Sequence, residues 1–164
     1  MKTAIITGAT SGIGKATAVK LAQNGFNVII TGRRQDKLDS LRHEIESQFN
    51  QKVLPLCFDV RKMCEVESAL GKLPKEWSKI DVLINNAGLA VGSNHIQDGV
   101  VDDWERMIDT NIKGLLYVTK IVSKQMIAQG GGHIVNIGST AGTQVYENGN
   151  VYCASKHAVH ALSQ

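Results

Sequence analysis

Short apolar runs alternate with amphipathic segments along the whole chain. Apolar and β-branched residues predict five strands, at residues 3–7, 26–31, 53–58, 80–84 and 133–137. Between the strands, apolar residues recur at helical spacing and predict helices at residues 14–24, 36–49, 62–73 and 102–129, with a last helix from about Asn150. Strands that alternate with helices are typical of a parallel sheet covered on both faces. The pattern therefore predicts an α/β fold built on a Rossmann-like, doubly wound parallel sheet.

Two prolines and one glycine refine this prediction. Gly25 follows the first predicted helix at a position where helices commonly end, and Pro74 is expected to stop the third helix. Pro55 lies inside the third predicted strand, and proline within a strand is tolerated mainly at the edge of a sheet. Because the third strand is an edge in the strand order 3-2-1-4-5, we expect that order.

A glycine-rich segment separates the first predicted strand from the first helix. It reads Thr7-Gly8-Ala9-Thr10-Ser11-Gly12-Ile13-Gly14, with the spacing G-x3-G-x-G. Glycines at this point let the backbone approach a pyrophosphate, and the helix N-terminus offers free N–H groups and the positive end of a dipole. A tight turn is the alternative, because a lone glycine motif is a weak signal. The flanking strand and helix favour a dinucleotide site formed by Gly8, Thr10, Ser11, Gly12, Ile13 and Gly14.

Two arginines follow the second predicted strand. Many dinucleotide-binding folds carry an acidic residue in this region, which binds the ribose 2′-hydroxyl of NAD. This chain has Arg33 and Arg34 instead, and guanidinium groups pair with a 2′-phosphate in bidentate geometry. The sequence therefore favours NADP as the cofactor. The alternative is that both arginines are solvated cations before the helix that starts near Asp36.

A tyrosine and a lysine four residues apart share one face of the last predicted helix. Tyr152 and Lys156 are therefore neighbours, with the ammonium beside the phenol. A free phenol titrates near ~10, and a neighbouring cation stabilises the phenolate, so the pair is a candidate acid and base. Ser139, in the turn after the fifth strand, could direct its hydroxyl at a carbonyl oxygen that the phenol protonates. Such residues also occur on ordinary helices and turns, so the other motifs must decide.

Composition narrows the classes of partner. The 164 residues, 43% apolar and 20% charged, fit one globular domain over residues 1–164. A formal net charge of +3, spread along the chain, suggests neither a nucleic-acid nor a membrane surface, so we expect small-molecule partners. The three cysteines form no CxxC or other metal-binding pattern, so neither disulfides nor a metal site is expected. These features fit a cytoplasmic protein.

Several motifs, in the same order, resemble those of the short-chain dehydrogenase/reductase family in its TGxxxGxG branch. They span the whole chain and comprise the glycine loop, Asn85-Asn86-Ala87-Gly88, Asn111, Ser139 and Tyr152-x3-Lys156. The resemblance implies a Rossmann fold, a nicotinamide cofactor and interconversion of an alcohol and a carbonyl. Sugar-nucleotide epimerases and dehydratases also carry a Tyr-x3-Lys pair, but they resemble a different glycine spacing, TGxxGxxG.

The resemblance also implies a role for each matching position. Tyr152 would act as acid and base, and Lys156 would stabilise its phenolate while binding the nicotinamide ribose. Ser139 would orient the substrate oxygen, and Asn111 would hold a water in a proton relay. At the adenine and along the cleft, the cofactor would be bound by Asp59, Val60, Asn86, Ala87 and Gly88.

Asn111 has support from its own surroundings. It lies inside the long predicted helix with Gly114 three residues on, and an interior glycine weakens a helix by about 1 kcal/mol relative to alanine. Such a weak point suits a local opening of the backbone that could bind water. The alternative is a surface asparagine beside a packing glycine.

Longer segments are similar to one branch of the family, the NADP-dependent 3-hydroxy acid dehydrogenases. They include residues 80–92, 107–111 and 136–142. That branch contains enzymes acting on serine and allo-threonine and reductases of malonic semialdehyde. The resemblance therefore implies a small 3-hydroxy acid as substrate.

A typical family member continues beyond the Tyr-Lys helix through further strands, a substrate-covering loop and another helix. We therefore expect a longer native polypeptide, with the fifth strand as an unpaired edge and with Val159 and Leu162 lacking later packing partners. The resemblance also suggests a homo-oligomer, a tetramer or dimer, formed through the long helix and the Tyr-Lys helix. A nucleotide-binding fragment without turnover is the alternative function.

Overall fold

A computed structural model describes all 164 residues, Met1 to Gln164. Five strands form one parallel sheet: β1 (Thr3–Ile6), β2 (Asn27–Gly32), β3 (Val53–Cys57), β4 (Val82–Asn85) and β5 (His133–Asn136). The strand order is β3-β2-β1-β4-β5, as the alternating pattern and Pro55 predicted. Pro55 lies opposite Ile30 on β3, an edge strand that pairs only with β2. Because no strand lies on the other side of β3, a proline without an N–H group is tolerated there.

Six α-helices connect and cover these strands. They are α1 (Gly12–Gln23), α2 (Gln35–Gln48), α3 (Met63–Leu70), α4 (Val101–Ile108), α5 (Leu115–Ala128) and α6 (Asn150–Leu162). Short 3₁₀ turns lie at Lys75–Trp77, Ile96–Asp98 and Thr140–Gly142. None of the helices has both the length and the apolar character needed to cross a bilayer.

Several predicted boundaries differ from the observed ones, and two of the differences are instructive. The third helix ends at Leu70 and not at residue 73, because the amide of Gly71 makes the last helical bond, to Glu67, before Pro74 is reached. Strand β4 begins at Val82, two residues later than predicted, although Ile80 is fully buried. Ile80 is therefore apolar because its side chain packs in the core, although the residue does not belong to the strand.

The long helix predicted at residues 102–129 is interrupted. A π-helical turn, Asp109–Gly114, separates α4 from α5. This turn contains Asn111 and ends at Gly114, where the sequence predicted a local opening of the backbone. A Cβ on residue 114 would lie 2.8 Å from the Val60 side chain, so the glycine also lets the turn pack closely against the segment after β3.

The core consists of two layers, one on each face of the sheet. Ala4, Ile6, Val28 and Ile30 pack with apolar residues of α1 and α2, whereas Ile5, Ile29 and Leu83 pack with residues of α3 and α5. Successive strand residues thus point to opposite covered faces, which explains why the strands read as continuous apolar runs. The predicted doubly wound arrangement is confirmed.

Strand β5 is the second edge of the sheet and pairs only with β4. Its residues Ile134, Val135 and Asn136 are half-buried. On α6, Val159 is 1% exposed, so the expectation that it lacks packing partners was wrong, because the segment that precedes α6 and the neighbouring elements already cover that face. Leu162 is 47% exposed, as expected.

Candidate active site

A cleft opens where the carboxyl ends of β1 and β4 diverge from the start of α1. Its volume is about 340 Å³, and it is lined by residues of the glycine loop, the β4 and β5 ends and α6: Gly8, Ser11, Ile13, Asn86, Ala87, Gly88, Leu89, Ala90, Ile137, Gly138, Tyr152 and Lys156. A second cavity of about 120 Å³ shares Gly8, Ala87, Gly88 and Leu89 with the first. The two cavities therefore adjoin at these four residues, at the point where the strand order reverses, which is where doubly wound sheets bind ligands. We refer to the two adjoining cavities together as the channel.

The glycine loop takes its shape from positions that admit no side chain. Gly8 has a φ of +65°, and a Cβ there would lie 3.0 Å from the Cα of Ala87. A Cβ on Gly14 would overlap both the Asn86 side-chain amide and the Gly8 carbonyl. The first turn of α1 therefore sits directly against the loops that follow β1 and β4, and its backbone faces the cleft.

Two polar side chains hold the glycine loop to the segment after β4. The Thr7 hydroxyl accepts hydrogen bonds from the backbone N–H groups of Asn86, at 3.0 Å, and Ala87, at 2.9 Å. In return, Nδ2 of Asn86 donates to the carbonyls of Thr7, at 2.9 Å, and Gly8, at 3.2 Å. Asn86, Ala87 and Gly88 all line the cleft.

The start of α1 is suited to an anionic group. Its N-cap residue, Ser11, makes no side-chain hydrogen bond to the helix, so the first N–H groups of α1 stay free of a side-chain cap. Ile13 is 62% exposed beside them. Such an apolar side chain at the rim of a polar cleft is available to cover part of a bound ligand.

The two arginines after β2 occupy different positions. Nη2 of Arg34 donates to the hydroxyls of Thr10, at 2.8 Å, and Ser11, at 3.4 Å, and so ties the end of β2 to the glycine loop. Arg33 lines the second cavity, and 61% of its side chain is exposed. Its nearest anionic neighbour is Asp59, 4.0 Å from Nη1.

Asp59 and Val60 line the second cavity together with Phe58. The Asp59 carboxylate accepts hydrogen bonds from the Arg61 side chain at 2.6 to 3.1 Å and from its backbone N–H at 3.0 Å. Burial raises the pKa of the Asp59 carboxyl, but these hydrogen bonds outweigh burial and hold the pKa below its usual value of 3.8. Asp59 is therefore ionised at neutral pH.

Tyr152 and Lys156 both face the first cavity, one turn apart on α6. The ammonium of Lys156 lies 6.0 Å from the centre of the Tyr152 ring and donates a hydrogen bond of 2.8 Å to the carbonyl of Ile137. Lys156 is 8% exposed, and its burial lowers the pKa of the ammonium below the usual 10.5. The sequence-predicted neighbourhood of phenol and ammonium is present.

Ser139 is exposed, and it lies one residue beyond the cleft wall, which ends at Gly138. Its Oγ accepts a hydrogen bond of 3.1 Å from the N–H of Ala141, which caps the 3₁₀ turn Thr140–Gly142. This bond uses an acceptor position of the oxygen, so the hydroxyl proton is available to a further group. Among the predicted catalytic residues, Tyr152 and Lys156 line the cleft, whereas Ser139 and Asn111 do not.

Asn111 is 2% exposed, and its side-chain amide makes its hydrogen bonds within the protein. Nδ2 donates to the carbonyl of Leu89 and to the hydroxyl of Ser155, and Oδ1 accepts from the N–H of Leu89. The side chain therefore fastens the π-helical turn to the segment that follows β4. A water at this position would bind the backbone that the π-helical turn opens, because the side-chain amide is already engaged.

The channel fits a dinucleotide on the evidence of its own residues. Gly8 and Gly14 bring the glycine loop against the segment after β4, where a Cβ on either residue would meet neighbouring atoms. Helix α1 presents uncapped N–H groups, and cationic side chains stand at both ends of the channel, Arg33 at one and Lys156 at the other. No group of three His, Cys, Asp or Glu side chains is placed to hold a metal ion.

Three polar residues of the site were not among the sequence-predicted site residues. Thr7 directly precedes the glycine loop, and its role depends on contacts with residues 79 and 80 positions away. Ser155 accepts a hydrogen bond from Asn111, and Arg61 donates hydrogen bonds to Asp59. Only their closeness in sequence to predicted residues could have indicated them.

Comparison with known proteins extends these observations. The sequence model of the short chain dehydrogenase family matches residues 2–164. An NADP-dependent 3-hydroxy acid dehydrogenase of Salmonella typhi is 46% identical over 159 residues, which are 97% of this chain and 62% of that protein. A protein of the same name from Schizosaccharomyces pombe is 42% identical over 159 residues, 96% of this chain and 61% of that protein. The chain thus spans 62% of the length of the first of these curated relatives.

Solved structures of dehydrogenases also resemble this chain. Serine dehydrogenase from Escherichia coli matches with a TM-score of 0.90 and 45% identity, over 98% of this chain and 73% of that one. The closed form of serine dehydrogenase complexed with NADP+ matches with a TM-score of 0.91 and 46% identity, over 98% of this chain and 63% of that one. Because the match covers nearly all of this chain, it includes the channel and helix α6.

Proposed function

We propose that this chain, which belongs to the short-chain dehydrogenase family, carries the NADP-binding and catalytic groups of an oxidoreductase that interconverts a secondary alcohol and a carbonyl. A small 3-hydroxy acid is the proposed substrate. Relatives named NADP-dependent 3-hydroxy acid dehydrogenases, and the solved serine dehydrogenases, support this substrate class. The observation that carries the proposal is the meeting of Tyr152 and Lys156 with the glycine loop in one cleft.

Residues 1–164 act in this proposal as a single NADP-binding domain. The glycine loop and the first turn of α1 hold the pyrophosphate, and Asp59 and Val60 border the adenine. Arg33 and Arg34 meet the 2′-phosphate, with Arg34 already fastened to the glycine loop through Thr10. NADP, when bound, supplies the hydride acceptor, and NADPH the hydride donor.

The proton in this reaction moves at the phenol of Tyr152. In the direction of alcohol oxidation the phenolate takes the hydroxyl proton of the substrate, and in reduction the phenol returns it to the carbonyl oxygen. Lys156 stands beside the phenol, and its ammonium is fixed by the carbonyl of Ile137. An ammonium in that position places a positive charge near the phenol and can donate a hydrogen bond to a ribose hydroxyl.

Two further residues assist this proton transfer in the proposal. Ser139 donates its free hydroxyl proton to the substrate oxygen, because its Oγ accepts from Ala141 and leaves the O–H unused. Asn111 contributes through the backbone of the π-helical turn, which holds a water that links Lys156 to solvent. The side chain of Asn111 keeps that turn in place.

A second candidate function is binding of the dinucleotide without turnover. The exposure of Ser139 outside the cleft wall favours it, because substrate positioning would then be incomplete. Both candidates share the cofactor site and differ only in the chemical step.

Self-association is part of the proposal. Helices α5 and α6 expose aliphatic side chains that an oligomer would cover, namely Leu116 (42% exposed), Ile127 (78%) and Leu162 (47%). Light scattering coupled to size exclusion decides between a monomer and a dimer or tetramer.

The decisive experiment combines cofactor binding with turnover. We expect a complete form of the protein to reduce NADP in the presence of serine or another 3-hydroxy acid, and Tyr152→Phe to remove most of this turnover while NADPH binding stays within about twofold. Tyr117→Phe removes a phenol oxygen from α5 and is the matched control. NADPH binding without turnover on any 3-hydroxy acid would favour the second candidate, and near-normal activity of Tyr152→Phe would contradict the role of the phenol.

A further inference from the structure

Three charged residues stand together at the end of the channel that holds the arginines. Arg33 and Asp59 line the second cavity, whereas Arg61 lines neither cavity. Arg61 nevertheless makes the closest contact in the cluster, with its Nη2 2.6 Å from Oδ2 of Asp59. Arg61 therefore contacts the lining of the channel through Asp59.

The Asp59 carboxylate is fully engaged by Arg61. Oδ1 accepts from the backbone N–H and from Nε of Arg61, and Oδ2 accepts from Nε and Nη2. The backbone N–H of Asp59 is itself held by Glu65, at 2.9 Å, which fixes the residue in the segment after β3. This bidentate pairing neutralises the carboxylate and uses the positions at which it could accept from another cation.

Arg33 is left without a hydrogen-bonded partner by this arrangement. Its Nη1 lies 4.0 Å from Oδ2 of Asp59, which is beyond hydrogen-bonding distance, and most of its side chain is exposed. Arg34, by contrast, is already bound to Thr10 and Ser11. Arg33 is therefore the arginine whose guanidinium is free to pair with a phosphate group.

Removal of Arg61 would leave the Asp59 carboxylate, which lies near Arg33, without its paired cation. An unpaired Asp59 carboxylate would have Arg33 as its nearest cation and would either bind that guanidinium or repel an incoming phosphate. Both effects weaken binding of a ligand that carries a 2′-phosphate. Neither affects a ligand with a free 2′-hydroxyl to the same extent, because that hydroxyl has no charge.

We propose that Arg61 is a positioning residue for cofactor choice, which occupies the carboxylate of Asp59 and so leaves Arg33 free for a 2′-phosphate. This inference rests on the proposed binding of NADP. It assigns the preference for the phosphorylated cofactor to a residue outside the channel as well as to the arginines within it. The signature of the role is a change in the ratio of two affinities and not in both affinities together.

The test measures NADPH and NADH binding to the full chain by nicotinamide fluorescence, in the parent protein and in Arg61→Gln, Asp59→Asn and the double variant. We expect Arg61→Gln to reduce the preference for NADPH over NADH by roughly fivefold or more, given a charge 4.0 Å from Arg33 in a partly solvated site. The double variant restores the preference to within about twofold of the parent, because the unpaired carboxylate is gone.

Thermal melting of each variant is recorded alongside. If Arg61→Gln does not melt cooperatively, Arg61→Lys tests the same point, because it keeps the charge and is expected to keep the preference. An equal weakening of both cofactors by Arg61→Gln, or a double variant that stays as impaired as Arg61→Gln, would overturn the inference and leave the proposed function standing. Equal affinities for NADPH and NADH in the parent protein would overturn the proposed cofactor choice and the role of Arg61 with it.

Discussion

Nδ2 of Asn111 donates a hydrogen bond of 3.0 Å to Oγ of Ser155, although the two residues are 44 positions apart. Both side chains are buried, and Ser155 in turn donates to the carbonyl of Tyr152 at 2.7 Å. Because Asn111 also binds the backbone of Leu89, one small network joins the π-helical turn, the segment after β4 and the helix that carries Tyr152. The position of the phenol therefore depends on residues that never touch the cleft.

Replacement of Ser155 by alanine tests this network. The change leaves a buried N–H of Asn111 without a partner, so we expect a loss of roughly 1–3 kcal/mol in the free energy of unfolding. Urea denaturation measures this loss. The control is Ser40→Ala, because Ser40 also donates to a helix carbonyl, at 2.8 Å from Asp36, but on an exposed face. Equal stability of both variants would show that the Asn111–Ser155 bond contributes nothing.

Substitution of Gly14 by alanine tests the glycine loop. The added methyl would overlap the Asn86 amide and the Gly8 carbonyl, so the loop must move away from the segment after β4. We expect a cost of roughly 1–3 kcal/mol in stability and weaker NADPH binding. Gly138→Ala is the stability control, since a Cβ there meets no atom within 4 Å. Unchanged melting and binding in Gly14→Ala would contradict the tight packing described.

Replacement of Asp59 by asparagine has a pH-dependent effect on stability. Burial opposes ionisation of Asp59, but the hydrogen bonds from Arg61 prevail, so its folded pKa lies below the usual 3.8. The contribution of the carboxylate is therefore fully present well above pH 3.8 and is lost as the pH falls through the lower, folded pKa. Urea denaturation from neutral to acid pH should show that Asp59→Asn is less stable than the wild type by roughly 1.5–3 kcal/mol at neutral pH. This difference in the free energy of unfolding should shrink as the pH falls through the folded pKa of Asp59. A difference independent of pH would refute the ionic character of the pair.

Lys156 gives the opposite pH dependence. Burial lowers the folded pKa of its ammonium below 10.5, so the protonated side chain costs stability at pH values below the folded pKa. This cost is relieved as the pH rises through the folded pKa towards 10.5. The stability of the wild type relative to Lys156→Met is therefore expected to rise in that alkaline window, and denaturation at stepped pH measures it. A fall over the same window would show that the ammonium is stabilised and not penalised in the folded chain.

Local patterns were sufficient to predict most of the fold. Pro55 indicated the edge strand, and the contrast between continuous apolar strands and amphipathic helices predicted the covered parallel sheet. Gly114 indicated the opening that the structure shows as a π-helical turn. The end of α3 was misjudged because Pro74 is a strong local signal, while the earlier stop at Gly71 depends on one hydrogen bond to Glu67.

The site could be predicted only in part, for a physical reason. Tyr152 and Lys156 are adjacent on one helix, so their spacing sufficed, and the glycine loop is continuous in sequence. The bonds of Thr7 to Asn86 and of Asn111 to Ser155 join distant segments, which no periodicity reveals. The different contacts of Arg33 and Arg34 likewise depend on the tertiary structure. The fold places Thr10 and Ser11 beside Arg34, and Asp59 beside Arg33.

The central claim, that the channel binds the phosphorylated nicotinamide cofactor through the free guanidinium of Arg33, is tested most directly by fluorescence titration of the unmodified chain with NADPH and with NADH. We expect NADPH to bind at least about tenfold more tightly, because a charge-assisted pair with the 2′-phosphate contributes roughly 1.5–3 kcal/mol. Arg33→Asp should remove that advantage, whereas Arg42→Asp, the same charge change on α2, should keep it. Equal affinity of the unmodified chain for the two cofactors would contradict the account.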